Sequence, residues 1–202
     1  MAQDPSLPAF IKPMLAVRGE PFDDDDFLFE IKWDGIRMLA FIDANGFRLM
    51  NRHGVDATAR YPEFGFLAGL APGNVLDGEM VVLRGGKPDF TLVQSRDKTR
   101  LPLKIRTMSQ AEPATFMAFD LLYDNHVYLL DRPLVERRER LENLILSCGH
   151  PHLVFSAGIQ GQGRALFAEV CRQNLEGIVA KRRSSPYRAG KRSDAWIKIK
   201  QR

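Results

Sequence analysis

The stretch FEIKWDGIRML, Phe29 to Leu39, sets Glu30, Lys32, Asp34 and Arg37 among apolar side chains. An amine stands in a strand-like run and is followed at once by Asp-Gly. Side chains alternate across a strand. Phe27, Phe29, Ile31 and Trp33 of FLFEIKW therefore share one face, and Leu28, Glu30 and Lys32 the other. The same alternation groups Asp77 with Glu79 in LDGEMVVL. It groups Trp196, Lys198 and Lys200 in WIKIK, with Ile197 and Ile199 opposite. Three strands thus bury apolar residues on one face and aim charge from the other. A sheet with one solvated face explains this in the plainest way. However, Lys198 and Lys200 stand adjacent on one face with no acid between them. Like charges at that spacing cost energy unless an anion covers them. A phosphate would do so. Glu176 and Lys181 in EGIVAK are five apart and would point to opposite faces of a regular strand. If both serve one site, Glu176 precedes the strand or the strand bends, and Gly177 permits it.

The elements that must position these groups are mostly strands. FLFEIKW, RMLAFID, FRLMNR, NVLDGEMVVL, TFMAFDLLY, LVFSAG, EGIVAKRR and AWIKIK are alternating or apolar runs of strand length. Ala44-Asn45-Gly46 is a hairpin signal, and Arg84-Gly-Gly-Lys87 a second turn. A helix is expected after Asp131 as its cap, with Pro133 in the first turn and Leu134, Leu141, Leu144 and Ile145 as its apolar stripe. Another is expected over about 164–174, with Leu166, Phe167 and Val170 inward. PEFGFLAGL fits a short third helix. The pattern predicts an α+β chain with largely antiparallel sheets and flanking helices.

The chain has 202 residues, ample for a core, and 45% of them are hydrophobic. It contains no apolar run long enough to span a bilayer. The start, MAQDPSLPAF, has neither a basic nor an apolar leader region, so a cytoplasmic protein is expected. Cys148 and Cys171 have no metal-ligand spacing and read as reduced thiols. The four histidines have no such spacing either, and Asp23 to Asp26 reads as a solvated loop. Net charge is +4. The stretch from Lys181 to Arg202 holds nine Lys or Arg against Asp194 alone, with Tyr187 and Trp196 interleaved. That combination suits phosphate contact.

KWDGIR (Lys32 to Arg37) resembles the KxDGxR signature of covalent nucleotidyltransferases, which include ATP-dependent DNA ligases, RNA ligases and mRNA capping enzymes. Further elements follow in that family's order. They are NRHG (Asn51 to Gly54), with Asn in place of the usual Ser, then LDGEMV, FMAFDLLY, EGIVAK and WIKIK. IKPMLA, PDFTLVQSR and SPYRAGKRSDAWIKIK are similar to the ligase domain of bacterial end-joining ATP-dependent DNA ligases. The resemblance implies an adenylation domain over residues 1–202, ATP-grasp-like, with the nucleotide between its sheets. Family ligases continue into an OB-fold domain. The chain stops after WIKIK, so that domain is expected to be absent here, which would limit self-adenylation and sealing.

The resemblance also assigns roles. Lys32 is the nucleophile that attacks the α-phosphate of ATP. A lysine amine, which in water titrates near ~10.4, must first lose its proton; apolar burial and nearby cations, here Lys198 and Lys200, favour that loss. Glu30 is expected at the adenine edge, with Ile31 beside the nucleotide and Phe119 stacked on the base. Taken alone, Glu30 can equally partner Lys32, and Phe119 can simply be core. Arg37 and Arg52 are expected near ribose and phosphates. Glu79 is expected at the ribose hydroxyl or a metal, and Glu176 is the second carboxylate for Mg²⁺. Lys181, Lys198 and Lys200 would neutralise the triphosphate. The implied partner is nicked double-stranded DNA, engaged by a monomer with end-joining or repair proteins. An RNA ligase, a GTP-using capping enzyme and a catalytically lapsed DNA-binding module are the competing readings.

Overall fold

The computed structural model describes residues 6–201. Strands dominate, in chain order β1 (Leu15–Arg18), β2 (Phe27–Ile31), β3 (Ile36–Asp43), β4 (Gly46–Asn51), β5 (Asn74–Arg84), β6 (Lys87–Pro88), β7 (Ala114–Asp124), β8 (Val127–Tyr128), β9 (Leu153–Phe155), β10 (Gly158–Gln160), β11 (Gly177–Arg182) and β12 (Arg192–Lys200). Four helices intervene: α1 (Phe90–Lys98), α2 (Pro102–Ala111), α3 (Leu134–Cys148) and α4 (Gly163–Arg172). PEFGFLAGL forms a tighter 3-10 segment, Pro62–Gly69.

One sheet has the order β1-β12-β11-β2-β10, and the other β4-β3-β5-β7-β8, with β6 on β5 and β9 on β7. Pairing is antiparallel except for β1 with β12 and β7 with β9. The Ala44-Asn45 turn closes the β3–β4 hairpin, and Gly85 and Gly86, both at positive φ, close β5–β6.

Three apolar layers hold the sheets. Met38, Leu76, Phe116, Leu141 and Ile145 pack between the second sheet and α3. Phe27, Phe29, Ile178 and Ile199 pack with Val170 of α4 beneath the first sheet, joined by partly buried Leu166 and Phe167. Leu39, Phe41, Val75, Phe119, Tyr187 and Trp196 fill the space between the sheets. The charged faces therefore look toward each other across a cleft.

Helix starts differ from expectation. Asp131 does not cap α3: Pro133 occupies the cap position, without a side-chain cap bond. Proline lacks an N–H and fixes φ, so it can open the helix without an upstream carboxylate. Helices α1 and α2 are not among the helices expected from the sequence: α1 coincides with the PDFTLVQSR motif, whereas α2 lies on none. Asp89 caps α1, its carboxylate accepting from the Leu92 amide at 3.1 Å.

Candidate active site

Between the sheets lies a cleft of about 720 Å³, lined by Glu30, Lys32, Arg37, Glu79, Phe119, Glu176, Lys181, Lys198 and Lys200 among others. Ile31 and exposed Arg52 also border it. Every candidate site residue read from the sequence thus reaches one cavity, though Glu30 and Lys200 stand at opposite ends of the chain.

At its closed end the polar face is not wet. Glu30 is 2% exposed. Its carboxylate accepts from Lys181 Nζ at 2.9 Å and from Arg138 Nη1 at 2.9 Å. Lys32 is therefore not the partner of Glu30. Strand alternation identifies a polar face; it does not say that a second layer covers it. Arg138, on α3, also donates to the carbonyls of Phe119 and Ser156. The Ser156 hydroxyl accepts from Trp33 Nε1 at 3.0 Å. Trp33 lies past the end of β2 and borders the cleft, rather than continuing the apolar face of the strand. Burial pulls the Lys181 ammonium below the usual lysine range, and Glu30 opposes that pull. Lys181 Nζ lies 4.1 Å from the Phe119 ring centroid and 4.5 Å from that of Trp196. Trp196 Nε1 is buried with no hydrogen-bond partner among the described residues.

Arg37 sits beside this group, held bidentate by Asp77 at 2.7 and 2.6 Å. Asp77 also accepts from the Tyr187 hydroxyl at 2.6 Å. Arg37 stacks 4.8 Å from the Phe119 centroid. Phe119 falls where the β5–β7 register shifts, since Gly78 faces Ala118 while Asp77 faces Asp120. That bulge turns Phe119 into the cleft and Asp120 onto Arg137, a pair with both side chains fully buried.

The open end is built otherwise. Lys32 follows the last residue of β2, its amide bonded to the Gly177 carbonyl at 2.9 Å. Its Nζ meets Glu176 Oε2 at 2.5 Å, and Lys200 Nζ meets Glu176 Oε1 at 2.6 Å. Glu176 precedes β11, as the five-residue spacing to Lys181 requires. Gly177 makes the bend at φ +149°, where an added Cβ would lie 2.1 Å from the Ile199 carbonyl oxygen. The group nearest Lys32 is thus a carboxylate, not the expected cations of Lys198 and Lys200. Among the described residues Lys198 has no ion pair. Desolvation pulls its ammonium down, and Arg192, Lys200 and Lys32 add to that.

Opposite, burial pushes the Glu79 carboxyl up to about 8, against the attraction of Arg37 and Lys32. Gly35 lets β5 close in, since a Cβ there would lie 2.3 Å from the Met80 carbonyl oxygen. Asp34 beside it is also raised, by burial and then by Glu176.

Sequence reasoning missed Arg138 and Ser156, and it set Tyr187 among groups suited to phosphate, whereas Tyr187 is buried and its hydroxyl donates to Asp77. Arg138 left a trace: Leu134, Arg138, Leu141 and Ile145 are spaced 4, 3 and 4, so an arginine occupies the inward stripe of the helix.

The family model for the ATP dependent DNA ligase domain matches residues 13–200. The SPbeta prophage-derived DNA ligase-like protein LigB of Bacillus subtilis (strain 168) is 36% identical over 193 residues, which cover 94% of this chain and 67% of that protein. The multifunctional non-homologous end joining protein LigD of Pseudomonas aeruginosa is 37% identical over 197 residues, covering 96% of this chain but 22% of LigD. The ligase domain of Mycobacterium tuberculosis LigD superposes with a TM-score of 0.78 at 36% identity, covering 94% of this chain and 60% of that one. Mycobacterial DNA ligase D complexed with ATP and MES gives 0.79 at 35% identity, with 95% and 60% covered. The chain thus spans about two thirds of its prophage-derived relative and under a quarter of the Pseudomonas LigD. Because that family model spans residues 13–200, nearly all of the sequence, the chain belongs to the ATP-dependent DNA ligase domain family.

Proposed function

We propose that residues 1–202 form an adenylation domain that takes AMP from ATP onto Lys32. It then passes AMP to the 5′-phosphate of nicked double-stranded DNA for end joining or repair, acting in the cytoplasm as a monomer. The observation that carries this reading is Lys32, a cleft-facing amine in direct contact with a carboxylate able to take its proton. Glu176 accepts that proton. The Nζ lone pair attacks the α-phosphorus, the bond to the β-phosphate oxygen breaks, and its electrons leave with pyrophosphate. A 5′-phosphate oxygen of DNA then attacks the same phosphorus and the P–N bond breaks. The 3′-hydroxyl finally displaces AMP, closing the strand. Lys198 and Lys200 face the charge that grows on the triphosphate. Glu30, held by Arg138 and Lys181, and Phe119 meet the base, and the orphaned Trp196 Nε1 leaves a donor for a polar ligand atom. Arg37 and Arg52 meet the ribose and phosphates.

The described residues contain no group of three metal-ligating side chains. The pair Glu79 and Glu176 still suits Mg²⁺, which commonly takes one or two carboxylates and completes its shell with substrate phosphates. In that role the ion would supply charge neutralisation at the triphosphate.

Incubation with Mg²⁺ and α-labelled ATP, GTP or NAD, followed by denaturation, tests the proposal. Label is expected from ATP alone and is lost in Lys32→Ala. Label from GTP would overturn the ligase reading in favour of a capping-type enzyme, and label retained by Lys32→Ala would overturn the nucleophile.

A further inference from the structure

The two arginines expected at the ribose and phosphates are held in different ways. Arg37 is gripped by Asp77, a carboxylate that offsets its charge. Arg52 has no ion pair among the described residues, and its hydrogen bond there runs from Nε to Nε2 of the neighbouring His53, at 3.0 Å. Both side chains are exposed and both line the cleft. The turn that carries them is fixed independently of that bond. Asn51, the last residue of β4, accepts at Oδ1 from the amides of His53 at 2.9 Å and Val55 at 3.1 Å. The Gly54 amide donates to the Asn51 carbonyl at 2.9 Å. Gly54 takes φ +77°, and a Cβ there would lie 3.3 Å from the Phe10 ring. Asn51 and Gly54 thus settle the backbone, while the direction of the long Arg52 side chain is left to His53. Other charged groups do not compete for the ring. Arg37 and Glu79 on the same sheet and Asp97 and Lys98 on α1 line the cleft. Asp97 is taken by Arg60 at 2.6 Å, and Lys98 donates to Gln94 at 3.1 Å. Beyond the turn, the Asp56 carboxylate accepts from the Thr58 amide at 2.8 Å.

An arginine N–H can donate to an imidazole nitrogen only where that nitrogen keeps its lone pair. His53 must then be neutral, with its proton on Nδ1. We propose that His53 is a positioning residue for Arg52: neutral, it holds the guanidinium at the cleft with both Nη groups free for ribose or phosphate oxygens, and protonated it releases it. The proposal rests on the adenylation reading above. A neutral brace orients the arginine yet leaves its whole charge to an incoming anion, which a carboxylate brace such as Asp77 does not. Histidine ordinarily changes charge between about pH 5 and 8. The brace is therefore present at the upper end of that range and lost toward the lower, where two adjacent cations repel.

The test uses the whole chain at pH 8 and pH 5.5, as the parent and as H53A, H53Q, R52A and R52A/H53A. Nitrogen NMR reads the His53 tautomer, calorimetry reads ATP binding in EDTA, and labelling of Lys32 by ATP with Mg²⁺ is followed in parallel. At pH 8 the ring is expected with its proton on Nδ1. H53A should weaken ATP binding about two- to tenfold, the range for one lost hydrogen bond, with the labelling defect in KM more than in kcat. H53Q, whose amide oxygen accepts at either pH, should recover most of that loss. Between pH 8 and pH 5.5 the parent should lose affinity relative to H53Q by a similar factor, since protonation of ATP itself affects both alike. In the R52A background H53A should add nothing. A proton on Nε2 at pH 8, or parental ATP binding by H53A, would overturn the brace. A parallel decline of parent and H53Q would overturn release by protonation. A loss that persists in the R52A background would make His53 a ligand contact instead. If the tautomer and the ATP binding follow the proposal but the parent never takes label, the adenylation reading fails while the positioning role stands.

Discussion

Glu30 and Glu176 are both carboxylates that bridge two cations, yet their surroundings differ throughout. The Glu30 side chain is 2% exposed and its partners Lys181 and Arg138 are 3% and 7% exposed. The Glu176 side chain is 19% exposed, Lys32 24% and Lys200 45%. Charges taken fully out of water repay the cost only in fixed geometry with every partner in place. The Glu30 cluster meets that demand through Arg138, which reaches the backbone of β7 and of the segment after β9. It is a rigid frame, suited to recognising a shape. The Glu176 pairs stay near water, where an ion pair is worth about 0–1 kcal/mol. Such pairs exchange cheaply, as a carboxylate must if it is to release a lysine for attack. On the proposed reading, recognition and reaction fall at opposite ends of one cleft, and those ends differ in burial.

Removing the charge at the closed end should give the largest effect. Glu30→Gln leaves Lys181 and Arg138 buried without a counter-charge and is expected to cost about 3–5 kcal/mol. In a domain of this size that lowers Tm by roughly 6–20 °C, taking 2–4 °C per kcal/mol. Thermal unfolding checks it. A variant melting within about 2 °C of the parent would show the frame to be loose, and the contrast between the two ends would fail.

Glu176→Gln is the matching change at the open end. Stability should shift by less than about 1 kcal/mol. The rate of Lys32 labelling should fall about 10²-fold, the low end for a lost general base. A stability loss equal to that of Glu30→Gln, with labelling intact, would reverse the assignment.

Most of the strands and the β3–β4 hairpin are legible in the sequence because alternation is a local signal, and the residues that line the cleft stand out because they lie in short motifs at the strands and the turns next to them. What covers the polar faces is not legible. Glu30 looks solvated on β2 alone, and only the packing of α3 and β7 over it makes it buried. Phe119 enters the cleft through a register shift between β5 and β7, a property of two strands that neither displays by itself. Arg138 is the exception, since its place in the inward stripe of α3 is visible in the spacing. Helices α1 and α2 escape detection as helices because their faces are mixed: Arg96 is fully buried on one, and Leu103 is exposed on the other.

Glu79 lies between the two regimes, in the cleft wall but desolvated. Its folded pKa of about 8 lies above the ordinary carboxyl value of 4.5. The folded state therefore binds more protons than the unfolded state between those values. The stability this contributes is complete below pH ~4.5 and is lost as pH rises to about 8. Allowing for water in the cleft, the loss should be on the order of 1–2 kcal/mol. Urea unfolding at pH 5 and pH 8.5 reads it, and Glu79→Gln should lose this component of the decline. A decline of the same size in the variant would assign it to other groups.

The smallest effect is the most discriminating within the open end. Lys200 is paired with Glu176, whereas Lys198 faces Arg192, Lys200 and Lys32 without an acid. Replacing each by glutamine should therefore move stability in opposite directions. Lys200→Gln should cost up to ~0.5 kcal/mol, while Lys198→Gln should leave stability unchanged or raise it by a few tenths. Both should slow Lys32 labelling if, as proposed, both cations face the leaving pyrophosphate. Added pyrophosphate or ATP should stabilise the parent more than the Lys198→Gln variant in thermal unfolding, since bound anion relieves the repulsion that the variant no longer has. Equal stabilisation of the two proteins would mean that the anion sits elsewhere, and that the unpaired lysine on β12 is only a solvated charge.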